Sequence, residues 1–231
     1  MKTLADRIIH FNRKLEFTYP LPKGISIMNP FKNKIVDKLS SSFYKKYYND
    51  NNERFLILGI NPGRFGAGIT GIPFTDPKRL IEKCGLHFTE ELKHEPSSAF
   101  IYEMIDAYGG AEKFYGRFYI NSVCPLGFTS LNKKGKEINY NYYDSKELTK
   151  IMYNFIAENI EKQISLGVNK NTAFCFGTGQ NENFLRKLND KKKFFKNIIA
   201  LEHPRYIMQY KSKNKQFYID KYISAFKQTH K

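Results

Sequence analysis

A chain of 231 residues with 41% hydrophobic and 16% aromatic content is long enough for one sizeable core and too short for several domains. Thirty-eight Lys and Arg against 22 Asp and Glu leave a formal charge of +16, which disfavours basic partners and favours polyanions, nucleic acid first. A basic surface also suits anionic membranes, or reflects heavy Lys use, so charge alone does not decide. Cys84, Cys124 and Cys175 are too few for a four-thiolate cluster and too scattered for a disulfide framework or a zinc ribbon. Reduced, buried thiols in a cytoplasmic protein, with no metal or other cofactor, are the expectation.

In chain order, MKTLADRIIHFNRKLEF reads as a helix interrupted by charge, without the apolar core of a secretory signal. With a second helix over 33–48 it forms an N-terminal helical segment, 1–50, packed on the rest. Compact apolar runs bounded by turn formers predict strands over 55–60, 118–123, 173–176 and 198–201. Helices are expected over 77–84, 99–108, 145–164 and 181–187. Polar LNKKGKEINYNYYD, 131–144, reads as an exposed loop or hairpin. No run approaches the ~20 apolar residues of a membrane span. Strands alternating with helices predict a parallel sheet with both faces covered, one α/β domain over 51–231.

In such sheets, chemistry collects in loops past the carboxyl ends of the strands. Three qualify: 61–74, 124–129 and 203–210. The first holds four glycines and two prolines in fourteen residues, a backbone able to approach a ligand closely. It carries neither G-x-G-x-x-G nor G-K-[ST], so nucleoside-triphosphate chemistry is excluded.

LGINPGRFGAGITGIPF at 58–74 resembles the first motif of the single-strand-selective monofunctional uracil-DNA glycosylases, G-x-N-P-G followed by T-G-x-P-F. YINSVCPLGF at 119–128 resembles their F-x-x-N-x-C-P-L motif, and LEHPRYIMQY at 201–210 resembles their H-P-S-P-R-N loop. In the last, Arg205-Tyr206 stands where the family has Ser-Pro. The three motifs keep the family's order over residues 55–225. The resemblance implies a three-layer α/β/α fold with a short central parallel sheet, and hydrolysis of the bond between a flipped-out uracil and its sugar in single- or double-stranded DNA. A monomer is expected.

Such an enzyme extrudes the nucleotide into a pocket, at a cost of a few kcal/mol. The resemblance makes Phe74 the stacking ring. Asn121 is the candidate for the base's edge, since a carboxamide can donate to O4 and accept from N3–H, provided its neighbours prevent a flip. The alternative for Asn121 is a strand-end residue capping its own backbone. Neutral His203 can donate to O2 as negative charge grows there. Asn61 is placed to orient the attacking water; as an amide it can position but not act as base. By the resemblance, Ile60 and Gly63 would border the pocket near C5 and admit 5-substituted uracils such as hydroxymethyluracil, with Pro62 a further substrate-binding candidate.

On the DNA side, Pro204, Arg205 and Tyr206 are candidates for a wedge in the base stack, with Lys211, Lys213 and Lys215 on phosphates. Tyr142 and Tyr143 are candidates for stacking on single strands. No Lys is nominated as a Schiff-base nucleophile, so base removal without strand cleavage is expected. The rival readings are a nucleic-acid-binding module without turnover and a mismatch-specific glycosylase, which His203-Pro204 fits poorly. A nucleoside hydrolase is disfavoured by the positive charge and the lack of an Asp cluster.

Overall fold

The structure, a computed structural model, describes residues 2–88 and 93–228. Four parallel strands, β2 (Arg54–Gly59), β3 (Phe118–Ser122), β6 (Val168–Phe176) and β7 (Asn197–Leu201), form one sheet in the order β3-β2-β6-β7. These are the four predicted strands, β6 being longer because residues 168–172 pair past a register shift between Arg54 and Leu56. Helices α1 (Leu4–Arg13), α2 (Lys34–Tyr47), α7 (Lys146–Ser165), α8 (Gln180–Lys192), α5 (Pro96–Tyr108), α6 (Ala111–Tyr115) and α10 (Lys215–Lys227) surround it.

The alternation of side chains along β3 assigns the layers. Phe118 and, on β6, Phe174 meet Phe226 of α10, while the neighbouring Tyr119 turns to Tyr44 and Tyr48 on the α2 side. Helices on both faces of a parallel sheet make the three-layer α/β/α architecture, in a single domain. Leu4, Ile8, Leu39 and Phe43 of the first two helices belong to the same apolar core as Leu56, Ile57 and Leu58 of β2. All three cysteines are free and buried, and burial pushes the Cys124 and Cys175 thiols up to about 12.

A second sheet was only half anticipated. β1 (Ile25–Met28), β4 (Gly127–Leu131) and β5 (Glu137–Tyr140) pair antiparallel in the order β1-β4-β5. The polar 131–144 stretch is thus a hairpin, but its second strand docks on the glycine-rich loop instead of standing free. The remaining helices are α3 (Ala67–Thr70), α4 (Pro77–Cys84) and α9 (Pro204–Tyr210). α4 lies where a helix is predicted, whereas the 203–210 segment, expected as a loop, is a helix over 204–210 capped by His203. α10 was not predicted. Among the described residues no helix is long and apolar enough to cross a membrane.

The carboxyl ends of β2 and β6 are tied together by Asn181, 1% exposed. Its Nδ2 donates to Phe176 O at 3.1 Å and Gly59 O at 3.4 Å, and its Oδ1 accepts from the Tyr142 hydroxyl at 2.8 Å. Tyr142 is therefore a core residue, 0% exposed, and cannot stack on a strand of DNA. Asn181→Ala strands a buried hydroxyl and a buried carbonyl, which should cost about 3 kcal/mol; urea denaturation of the variant against the parent checks it.

Candidate active site

A cleft of about 260 Å³ opens at the carboxyl end of the parallel sheet, where ligands bind in open α/β folds. Ile60, Asn61, Pro62, Gly63, Phe74 and His203 line it. Pro204 is the first residue of α9 and is buried, while Arg205 and Tyr206 stand exposed at the mouth.

The T-G-I-P-F segment builds one wall. Buried Thr70 accepts from the Ile72 N–H at 3.1 Å and donates to Thr75 O at 2.7 Å, closing a tight turn. Phe74, at its end, has φ 53°, a left-handed conformation that is uncommon for a bulky residue. Its ring is held against Phe176 at 5.7 Å and His203 at 5.5 Å between centroids. On the strand beneath, a Cβ at Gly59 would lie 2.9 Å from the Phe74 ring. Gly59 is thus required for the ring to occupy this place.

Asn61 is held by the hairpin. Its Nδ2 donates to Tyr140 O at 3.2 Å and its Oδ1 accepts from the Tyr142 N–H at 3.2 Å. A backbone N–H can only donate, so the amide orientation follows from it. Arg64 reinforces the contact, its N–H donating to Asn139 Oδ1 at 3.0 Å and its guanidinium to Glu137 at 2.8 Å. Asn139 and Asn141 consequently join the cleft wall.

Asn121 sits deeper. It is 7% exposed and does not line the open cleft, which its neighbour Ser122 does. The Ser122 N–H donates to Asn121 Oδ1 at 2.8 Å, and Asn121 Nδ2 donates to the Tyr119 hydroxyl at 2.7 Å. The self-capping alternative is therefore realised, and the same bond prevents the amide from flipping. One lone pair and one N–H of the carboxamide stay unused.

His203 caps α9, with Nδ1 accepting from the Arg205 N–H at 3.1 Å. That bond requires Nδ1 to be unprotonated, so the neutral ring carries its proton on Nε2. Desolvation, with the Arg205 charge adding to it, lowers the imidazole to about 4. At neutral pH His203 is an uncharged donor.

Two functional candidates, Tyr210 and Glu95, escaped the sequence reading. Tyr210 pairs with Tyr206 at 5.5 Å, four residues apart on α9, and both rings are exposed. Tyr143 lines the cleft and is half-buried, so of the two tyrosines named together it alone can meet a ligand. Glu95 also lines the cleft, with its backbone N–H on Asp76, the side-chain cap of α4, at 2.9 Å. Burial first, and then the Asp76 charge, raise its carboxyl to about 7, against the pull of Arg205. Such a group donates a hydrogen bond below that pH and accepts a proton above it. Lys211 and Lys213 are exposed but lie outside the cleft lining, and Lys215 is committed to Glu103 at 2.5 Å.

A sequence profile described as the uracil DNA glycosylase superfamily matches residues 45–227. The chain is similar to a solved structure, that of wild-type SMUG2 of Pedobacter heparinus, at 63% identity and a TM-score of 0.97, over 100% of this chain and 99% of that one. Comparison with curated proteins gives no match.

The raised carboxyl of Glu95 predicts a pH-dependent stability. Between the ordinary value of 4.5 and about 7 the folded protein holds a proton that the unfolded chain has released, so this group's contribution falls as pH rises through that window. Glu95→Gln should therefore raise Tm at pH ~8 and leave it nearly unchanged at pH ~4, as measured by thermal denaturation at both.

Proposed function

The chain belongs to the uracil-DNA glycosylase superfamily, and from that membership and the cleft's geometry we propose that it hydrolyses the N-glycosidic bond of uracil in DNA, leaving the strand intact. The observation that carries the proposal is the hydrogen bond from the Arg205 N–H to His203 Nδ1. It leaves the proton on Nε2 of a neutral imidazole at the wall of a cleft that also holds an aromatic face and an oriented carboxamide.

In this reading the nucleotide leaves the base stack, at a cost of a few kcal/mol, and its base lies on the Phe74 ring. Asn121, its orientation fixed by the Ser122 N–H, uses the remaining N–H for O4 and the remaining lone pair for N3–H. Cytosine offers the opposite pattern and leaves both groups unpaired, a penalty larger than a lost contact. Ile60 and Gly63 border C5, and the Glu95 carboxyl, 3.2 Å from where a Cβ at Gly63 would lie, is the group a 5-substituent such as hydroxymethyl would meet there.

As the bond breaks, electrons pass to the base and positive charge to the sugar. His203 Nε2–H stabilises the oxygen where the negative charge grows, with no proton transfer and no charged form to desolvate. The free lone pair of Asn61 Oδ1 accepts from a water and turns that water's own lone pair toward the sugar. Arg205 and Tyr206, joined by Tyr210, fill the space left in the stack. The exposed Lys211 and Lys213 add long-range attraction for the phosphates. A substrate of this kind places the activity inside the cell.

Incubation with oligonucleotides carrying one uracil, single-stranded or opposite G or A, followed by hot alkali, tests the proposal. Breaks at the uracil only after alkali are expected. Asn61→Ala and His203→Ala should each lose about 100-fold or more in rate with DNA binding retained; an unaffected Asn61→Ala would overturn the mechanism. Intact oligonucleotides with normal binding would favour a module without turnover.

The pH profile gives a second check. Burial lowers the His203 imidazole to about 4, so the profile should lack the limb near 6.5 of an ordinary imidazole. The measurement is best made on Glu95→Gln, where the neighbouring carboxyl no longer titrates near 7.

A further inference from the structure

Beside the cleft, a groove of about 670 Å³ runs between α7 and α8. Tyr143 lines both depressions, so the groove adjoins the cleft at that residue. Its walls carry two pairs of lysines: Lys146 and Lys150 on α7, Lys187 and Lys191 on α8. Each pair is spaced four residues apart, which puts the two ammonium groups on one face of a helix with a rise of about 6 Å between their backbones.

All four lysines are exposed, and among the described residues none is in an ion pair. No described carboxylate lines the groove, and Glu182 nearby is already bound to Arg186 at 2.8 Å. The floor is aromatic. Tyr143, Tyr153 and Phe184 are half-buried, with Phe184 wedged against Tyr142 at 4.9 Å and Tyr153 at 6.1 Å. Lys191 lies 5.7 Å over the Tyr153 ring.

Cations on the rims and π-faces between them are what an unpaired nucleic-acid strand requires: charge for the phosphates, rings for the bases. The geometry points to this groove as the track for the single-stranded DNA that flanks the flipped nucleotide. A duplex suits it less, because paired bases turn their faces to each other and have none to offer the rings. The inference rests on DNA being the substrate of the adjoining cleft.

The test uses the full chain and the triple variant Lys150→Gln/Lys187→Gln/Lys191→Gln, all at exposed positions, with a labelled, uracil-free single strand long enough to extend beyond the cleft. The slope of log affinity against log salt should become shallower by about 2, at ~0.7 per lost contact to a single strand. Tyr153→Ala should weaken binding about tenfold through lost stacking. On a uracil strand too short to leave the cleft, the triple variant should excise at the parental rate. An unchanged salt slope, or an equal loss on blunt duplex, overturns the inference. If the parent binds the long single strand in this way but excises nothing, the glycosylase reading fails and the groove stands.

Discussion

The Asn61 carboxamide hydrogen-bonds at once to Tyr140 O and to the Tyr142 N–H, and in doing so joins the parallel sheet to the antiparallel one. Asn61 lies two residues past the end of β2, the strand between β3 and β6, and Tyr140 ends the hairpin of the second sheet. That bridge, together with Arg64 on Asn139 and Glu137, fixes the outer side of the glycine-rich loop. With it, Asn139, Asn141 and Tyr143 are brought to the cleft, and Tyr142 is set deep enough for its hydroxyl to reach Asn181 and brace the ends of β2 and β6.

The cleft is organised around neutral groups oriented by the main chain. Asn61 receives the Tyr142 N–H, Asn121 the Ser122 N–H and His203 the Arg205 N–H. In each case a donor that cannot reverse its role fixes which atom of the side chain is left free. Neutral, oriented dipoles carry a smaller desolvation cost than ions and need no rearrangement as charge develops. The strained backbone of Phe74 fits the same logic, since its ring is over-determined by Gly59, Phe176 and His203 and the local cost is spread over the surrounding packing.

Much of this was legible in the sequence because buried parallel strands are continuous apolar runs. FLILGI, FYINSV, AFCF and IIAL announce themselves, and the loops after them name Asn61, Phe74 and His203. The antiparallel sheet is quieter. ISIM and EINY are four residues each, half-exposed and poor in apolar contrast, so their pairing depends on tertiary partners that no local pattern encodes. Helix α9 was hidden because its cap is a histidine and its first residue a proline, in a segment otherwise read for its motif. Glu95 gave no signal at all: a lone Glu in polar KHEP becomes a cleft residue only because Asp76, nineteen positions earlier, holds its backbone.

The hairpin bridge also bears on the evolutionary freedom of position 61. An aspartate there would keep the bond from the Tyr142 N–H, but its second oxygen would replace an N–H that now faces Tyr140 O at 3.2 Å and Pro62 O at 3.4 Å. Three acceptors would meet with no proton among them, and the carboxylate would either stay protonated or push the hairpin away. In this chain Asn61→Asp therefore sets the carboxylate against the second sheet. The amide at this position is thus set by the scaffold, through the strand that packs behind the residue.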